Sequence, residues 1–276
     1  MPTTLRIAVV QIDIAFADPD RNIDAVLSRG REAAEQGARL VVFPECTLTG
    51  YCFESRDEAW SHALCLDDPR LRAVEGLCRE AGVWIIVGFA ERADQKLHNT
   101  CVLLGPAGLV AVYRKTHLPS LGLDKYADQA DGPYAVNQVE GVNVALGICY
   151  DASFPEFARV LTLRGADLIA LPTNWPPGAE PVPEHVIPTR ALENNIYFAA
   201  ANRVGQERGF RFIGNSVICA PDGSVLAAAG PDEETILFAE VDPTRARQKR
   251  IIRVPGKHEI DRLSDRRTDL YGDLVR

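Results

Sequence analysis

The sequence predicts an α/β fold of four layers, helix–sheet–sheet–helix, and three observations lead there. Short apolar runs alternate with amphipathic stretches of helical period, as expected of strands and the helices that cover them. The same order of elements occurs twice along the 276 residues. No low-complexity segment or flexible linker divides the two copies. Each copy alone would be a sheet with helices on one face and a bare apolar face in water. Packing the two bare faces together gives one αββα sandwich of two mixed sheets, expected to span residues 1–244 as a single domain. Residues 245–276 are polar and basic (Arg245, Arg247, Lys249, Arg250, Arg253) and are expected to form a tail that straps across a partner subunit.

The elements follow in order. Leu5–Ile12 is an almost unbroken apolar run, the pattern of a strand buried on both faces. Asp18-Pro19 opens a helix that carries Ile23, Val26, Leu27, Ala33 and Ala34 at helical spacing, and Gly37 closes it. Leu40–Phe43 is the next strand, stopped by Pro44-Glu45. A loop with Thr49-Gly50-Tyr51 leads to a helix over Asp68–Ala81 with Gly82 as its stop. Val83–Gly88 is a strand, and Asn99–Leu104, a Gly105-Pro106-Ala107-Gly108 turn and Leu109–Tyr113 make a hairpin. The second half repeats this. Val142–Ile148 answers the first strand and Phe154–Arg164 the first helix. Gly165–Pro172 echoes Gly37–Pro44, Ile196–Ala201 answers the third strand, and Asn215–Gly223 echoes Asn99–Gly108. Shared turn chemistry explains one such match, not three in the same order.

Bulk properties exclude several classes. A formal charge of −8 leaves no excess of cations to neutralise phosphates, so nucleic acid is not an expected partner. No run approaches the ~20 apolar residues of a membrane span. Leu5–Ile12 is too short, and too interrupted by Arg6, for a signal peptide. Seven cysteines without CxxC spacing point to reduced thiols in a cytoplasm, not to disulfides or a zinc site.

The chemistry-bearing residues collect at strand ends, the usual crevice of layered α/β proteins. Cys149 lies between the buried strand Val142–Ile148 and a helix start, where backbone N–H groups and the helix dipole favour a thiolate. Ser153–Glu156 has the form of a capping box for that helix, with Pro155 in its first turn. Glu45 follows the strand Leu40–Phe43, and Lys115 ends the hairpin strand. Each alone is an ordinary core thiol, turn carboxylate or strand-end cation. Together they make a working nucleophile: Glu45 takes the thiol proton, and Lys115 favours the thiolate and stabilises an oxyanion beside the backbone N–H of Tyr150. Attack on an amide then gives a thioester, with no metal or organic cofactor. His117, two residues from Lys115, is read as a structural hydrogen bonder, since no papain-like signature surrounds Cys149.

Leu-Val-Val-Phe-Pro-Glu45, Tyr-Arg-Lys115-Thr-His-Leu and Gly-Ile-Cys149-Tyr-Asp, with Phe154-Pro155-Glu156 behind it, resemble the nitrilase, or carbon–nitrogen hydrolase, superfamily. The resemblance runs from the first strand through Asp242. It implies the same αββα sandwich, a Glu45–Lys115–Cys149 triad, and homo-oligomers built on dimers that pack the helix Phe154–Arg164 against its copy. Many members carry a second glutamate after the lysine; here Asp124 stands at the matching place, with Asp128 as the alternative. Asn174 and Trp175, on the strand that echoes the Glu45 strand, are expected to reach the same crevice, and Tyr51 to wall it. Arg190, Glu193 and Asn194 resemble a helix near the family's site and are expected to bond structurally. The expected activity is hydrolysis of a small aliphatic amide, an ω-amide or an N-carbamoyl amine. A nitrilase working through a thioimidate is the alternative, and a non-catalytic binding relative a further one. An acidic substrate would need another cation, for which the sequence offers Lys125, Arg190 or Arg203.

Overall fold

The computed structural model describes residues 4–132 and 134–275; the ends of the expected span, 1–3 and 276, lie outside the described residues. In chain order the elements of the first half are β1 (Leu5–Gln11), α1 (Pro19–Glu35), β2 (Leu40–Val42), α2 (Arg56–His62), α3 (Pro69–Ala81), β3 (Trp84–Ala93), β4 (Lys96–Gly105), β5 (Gly108–Arg114) and β6 (Val136–Val139). The second half holds β7 (Val142–Leu146), α4 (Pro155–Leu163), β8 (Leu168–Pro172), α5 (Ile187–Asn194), β9 (Tyr197–Ala201), a small hairpin β10 (Gln206–Glu207) and β11 (Phe210–Arg211), then β12 (Val217–Cys219), β13 (Val225–Ala228) and β14 (Thr235–Val241). After these come α6 (Pro243–Arg247) and a second hairpin, β15 (Arg250–Val254) and β16 (His258–Asp261).

Two six-stranded mixed sheets result, ordered β14-β1-β2-β3-β4-β5 and β13-β12-β9-β8-β7-β6. In each, the three inner strands run parallel (β1-β2-β3 and β7-β8-β9) and the hairpin strands antiparallel. The repeat read from the sequence is therefore a repeat of topology. Its closure is reciprocal: β6 leaves the first half to pair with β7, and β14 returns to pair with β1. Each sheet is completed by a strand from the other half, which is why neither copy is self-contained.

Alternation along β1 and β2 sorts the core. Leu5, Ile7, Val9, Leu40 and Val42 cluster with the second sheet, while Ala8, Val10, Val41 and Phe43 cluster with Ile23, Val26, Leu71, Val74 and Leu77 of α1 and α3. The helix starts follow the sequence signals. Asp18 and Asp68 accept from the N–H of Arg21 and Arg70, each with proline next in line. Gly82 ends α3 in the left-handed region at φ +64°.

One expectation changes. Ser153 does not cap α4: the helix starts after Phe154 with no side-chain cap, because Ser153 is already part of a 3-10 turn, Cys149–Ser153. The basic C-terminal segment carries the end of α6 and the β15–β16 hairpin. It is clasped to the end of α5: Asn195 Nδ2 donates to the carbonyls of Arg245 and Gln248, and Lys249 Nζ donates to those of Asn194 and Asn195. Among the described residues, no helix is long and apolar enough to cross a membrane.

Candidate active site

The C-terminal ends of β2 and β8 meet in one place. Past β2, Thr47 Oγ1 donates to Pro44 O over 2.6 Å and Cys46 takes a left-handed conformation at φ +50°, closing a tight turn that aims Glu45 inward. Gly88 of β3 permits this, because a Cβ there would stand 2.8 Å from the backbone nitrogen of Cys46. From the other sheet, Thr173 O accepts from Glu45 N at 3.4 Å and Asn174 Nδ2 donates to Glu45 O at 3.0 Å. The two repeat-related strand ends thus hold each other.

Lys115 follows β5, its N–H donating to Asn99 O of β4 over 2.8 Å. Its Nζ donates to Glu45 Oε1 at 2.7 Å and to Asp124 Oδ2 at 2.5 Å, and all three side chains are buried. Asn99 Nδ2 bridges the same carboxylates from the other side, 2.7 Å from Glu45 Oε1 and 2.7 Å from Asp124 Oδ1. Asp124 arrives on a 3-10 turn, Gly122–Lys125, whose glycine at φ +49° lies against the Tyr51 ring. Tyr51 OH donates to Asp124 Oδ2 at 2.8 Å, so it orients the second carboxylate as well as filling space. Asp128 is elsewhere, paired with Arg56 and with Leu97 N.

Cys149 opens its 3-10 turn at φ +45°, a strained conformation for a residue with a Cβ. Asp151 pins the turn by accepting from Ile148 N at 2.9 Å, and Arg190 of α5 braces its far side through the carbonyls of Ala152 and Ser153. Cys149 remains partly exposed, whereas Glu45 and Lys115 are not.

The electrostatics divide the labour. Burial raises Glu45 and Asp124 adds to it, while Lys115 and Asn99 pull it back, leaving Glu45 at about 7. Burial alone would lower Lys115, but Asp124 and Glu45 more than offset it and keep the ammonium charged. Burial, then Glu45, push the Cys149 thiol up to about 12, against the opposing pull of Lys115, the Thr173 hydroxyl and the Asn174 backbone. The expected resting thiolate is thus not favoured: Cys149 heads a short 3-10 turn, not an α-helix, and the Glu45 carboxylate repels the anion. The group able to take the proton is that carboxylate. Glu45 Oε1 already receives Lys115 and Asn99; among the described residues, Oε2, Asn174 Oδ1 and Thr173 Oγ1 are buried without a hydrogen bond of ordinary geometry.

The remaining predicted residues make other contacts. The Tyr150 side chain is exposed and meets Phe154 edge-on. Trp175 is buried, its backbone held by Asn202 and Ile213. His117 bonds Asp151 through Nδ1 at 2.7 Å and stacks on Phe154. Asn194 Nδ2 donates to Arg190 O and Glu193 pairs with Arg190, so this helix bonds structurally. Arg203 is consumed by Glu207 and Asp13, and Lys125 lies over the Tyr126 ring. Sequence reading missed Asn99, which sits among Lys96, His98 and Thr100 in the polar first half of β4 and carries no signal of its own there. Among the described residues, no three His, Cys, Asp or Glu side chains are placed to hold a metal ion.

Known proteins resemble this chain along nearly its whole length. The carbon–nitrogen hydrolase family model matches residues 6–251. A protein of Pyrococcus abyssi named nitrilase is 38% identical over 97% of this chain and 99% of its own length. The omega-amidase of Homo sapiens is 30% identical, covering 98% of this chain and 97% of its own. The structure of a Nesterenkonia amidase variant superposes with a TM-score of 0.81 at 26% identity, covering 99% of this chain and 98% of that one. In that variant the acetamide moiety of fluoroacetamide is covalently attached to the active-site cysteine. The chain belongs to the carbon–nitrogen hydrolase family, within the nitrilase superfamily, and is an enzyme of that class.

Proposed function

We propose that the protein hydrolyses a small amide (simple aliphatic, ω-amide or N-carbamoyl amine) through a thioester on Cys149. The observation that carries this is the Glu45 carboxylate: one oxygen is fixed by Lys115 and Asn99, the other is buried without a hydrogen bond among the described residues, and its charge acts on a Cys149 thiol that needs a base. Glu45 takes the thiol proton as Cys149 Sγ attacks the amide carbon. The oxyanion forms beside Lys115 Nζ and the backbone N–H of Tyr150. Collapse breaks the C–N bond, and the proton on Glu45 passes to the departing amine. Water, deprotonated by Glu45, then attacks the thioester, and the proton returns to the sulfur as the acid leaves. Every proton is accounted for by Glu45, and no cofactor enters.

Asp124 orients Lys115, and its shorter side chain reshapes the pocket relative to relatives with glutamate. Asn174, Trp175 and Tyr51 shape the walls. Of the cations named for a substrate carboxylate, Arg190 and Arg203 are already engaged in structural bonds, which leaves Lys125 for the free carboxylate of an ω-amide. A second reading, nitrile hydrolysis through a thioimidate, is supported by the Pyrococcus abyssi relative's name. We also propose a cytoplasmic, dimer-based assembly with neither nucleic acid nor membrane as partner, supported by seven free cysteines and by exposed Leu163 and Leu192 on α4 and α5 and Ile252 and Val254 on β15, within the segment 245–276.

The test is a panel of amides, nitriles and N-carbamoyl amines with ammonia detection. Amide turnover is expected, with carbon dioxide accompanying ammonia if the substrate is N-carbamoyl. Acid and ammonia from a nitrile, with no turnover of the matching amide, would replace this reading by the nitrilase one.

A further inference from the structure

We infer that Asp151 is a positioning residue that locks the Lys115 segment to the Cys149 turn, so that the two halves of the repeat present their groups as one rigid centre. Its carboxylate is buried and receives five hydrogen bonds. Oδ1 accepts from Thr116 Oγ1 at 3.1 Å, His117 N at 3.2 Å and His117 Nδ1 at 2.7 Å. Oδ2 accepts from Tyr113 OH at 2.8 Å and Ile148 N at 2.9 Å. Four of these donors come from residues flanking Lys115 on both sides; the fifth comes from the residue immediately before Cys149.

A carboxylate saturated this way is more than a turn stabiliser. Pinning Ile148 alone would need one oxygen, and the 3-10 turn is already braced from its far side by Arg190. The other oxygen is spent wholly on the loop after β5. Lys115 Nζ itself reaches away to Glu45 and Asp124. The distance between its ammonium and the sulfur is therefore set by the backbone on either side of it, and Asp151 is the group that holds both backbones. Charge-assisted hydrogen bonds in a buried setting are short and stiff enough for this role. A loss of even an ångström between Lys115 and Cys149 costs rate steeply, while the substrate can still enter.

This inference rests on the thioester reading for its kinetic arm, and alkylation of Cys149 gives an arm that does not. Asp151→Asn and Tyr113→Phe are compared with Asp167→Asn, which removes a buried carboxylate that bonds Asn143 N and Arg247 at the opposite end of β8. The readouts are kcat, KM, melting temperature and the iodoacetamide reaction rate of Cys149 across pH, followed by peptide mass spectrometry. Asp151→Asn should lower kcat at least tenfold with KM within about threefold, and slow Cys149 alkylation at neutral pH with its midpoint moved upward. Tyr113→Phe, which loses a single hydroxyl, should do the same to a smaller degree and covers the case in which Asp151→Asn does not fold. Asp167→Asn should lower the melting temperature and leave kcat and alkylation unchanged. The inference is overturned if folded Asp151→Asn or Tyr113→Phe keeps the wild-type alkylation profile, or if Asp167→Asn perturbs it equally. A wild type that turns over no amide would sink the thioester reading, yet the alkylation comparison would still decide the role of Asp151.

Discussion

The side-chain amide of Asn99 donates to Glu45 Oε1 over 2.7 Å, on the same oxygen that receives Lys115 Nζ. Two donors converging on one carboxylate oxygen keep Glu45 ionisable although its side chain is buried. Removing the neutral one should therefore be visible as a pH effect. In Asn99→Leu the Glu45 pKa rises further, because Asn99 pulls it down. The acid limb of kcat/KM should move to higher pH, with about a 10–100-fold loss at neutral pH. An unmoved limb would show that Asn99 serves β4 packing alone.

The wild-type profile follows from the same residue. Glu45 must be ionised to accept the thiol proton, so activity should fall as pH drops through about 7. The stability consequence has the opposite sense. The folded-state pKa is raised above the unfolded value near 4.5, so the native state binds the extra proton between about 4.5 and 7 and loses stability as pH rises across that window. Glu45→Gln should lack this decline in melting temperature and should also be inactive. Melting curves from pH 4.5 to 8 for both proteins check it.

Lys115 is the single cation between two buried carboxylates. Lys115→Met leaves Glu45 and Asp124 facing each other without it, and breaking a buried pair this way costs about 3–5 kcal/mol. We expect a fall in melting temperature that is largest at high pH, where both carboxylates are charged, together with loss of turnover. Equal destabilisation at pH 5 and pH 8 would contradict the coupling.

The turn that aims Glu45 depends on a missing side chain. Gly88→Ala would place a Cβ 2.8 Å from Cys46 N, where the neighbour is backbone and has no room to yield. It should cost about 1–3 kcal/mol and lower kcat. Gly76→Ala is the control: it lies in α3 with nothing within 4 Å of the added carbon, and should be neutral or stabilising by up to about 1 kcal/mol without touching activity.

Most of the architecture was legible because its determinants are local and periodic. Gly37–Pro44 and Gly165–Pro172 announce the same helix-end, strand and proline stop, and they became β2 and β8 of the two sheets. Glu45, Lys115 and Cys149 were visible as polar residues ending apolar runs, with a family resemblance to join them. Other parts were hidden for physical reasons. The pairing of β14 with β1 is a long-range choice that neither strand's own sequence declares, and β6, short and half-polar, does not announce the turn Glu140-Gly141 that folds it onto β7. Ser153–Glu156 satisfied a local capping rule that Asp151 overrode by winding the preceding residues into a 3-10 turn. Asn99 looked like the start of an ordinary hairpin strand, and its importance comes only from facing two carboxylates 54 and 25 residues away in sequence.

The account stands most directly on the covalent intermediate. The decisive measurement is acid-quenched turnover of an accepted amide, followed by peptide-resolved mass spectrometry. The expected result is the substrate's acyl group on Cys149 in the wild type, no adduct and no turnover in Cys149→Ala, and a melting temperature for that variant close to wild type. Turnover persisting in folded Cys149→Ala, or an acyl group found on another residue, would contradict it.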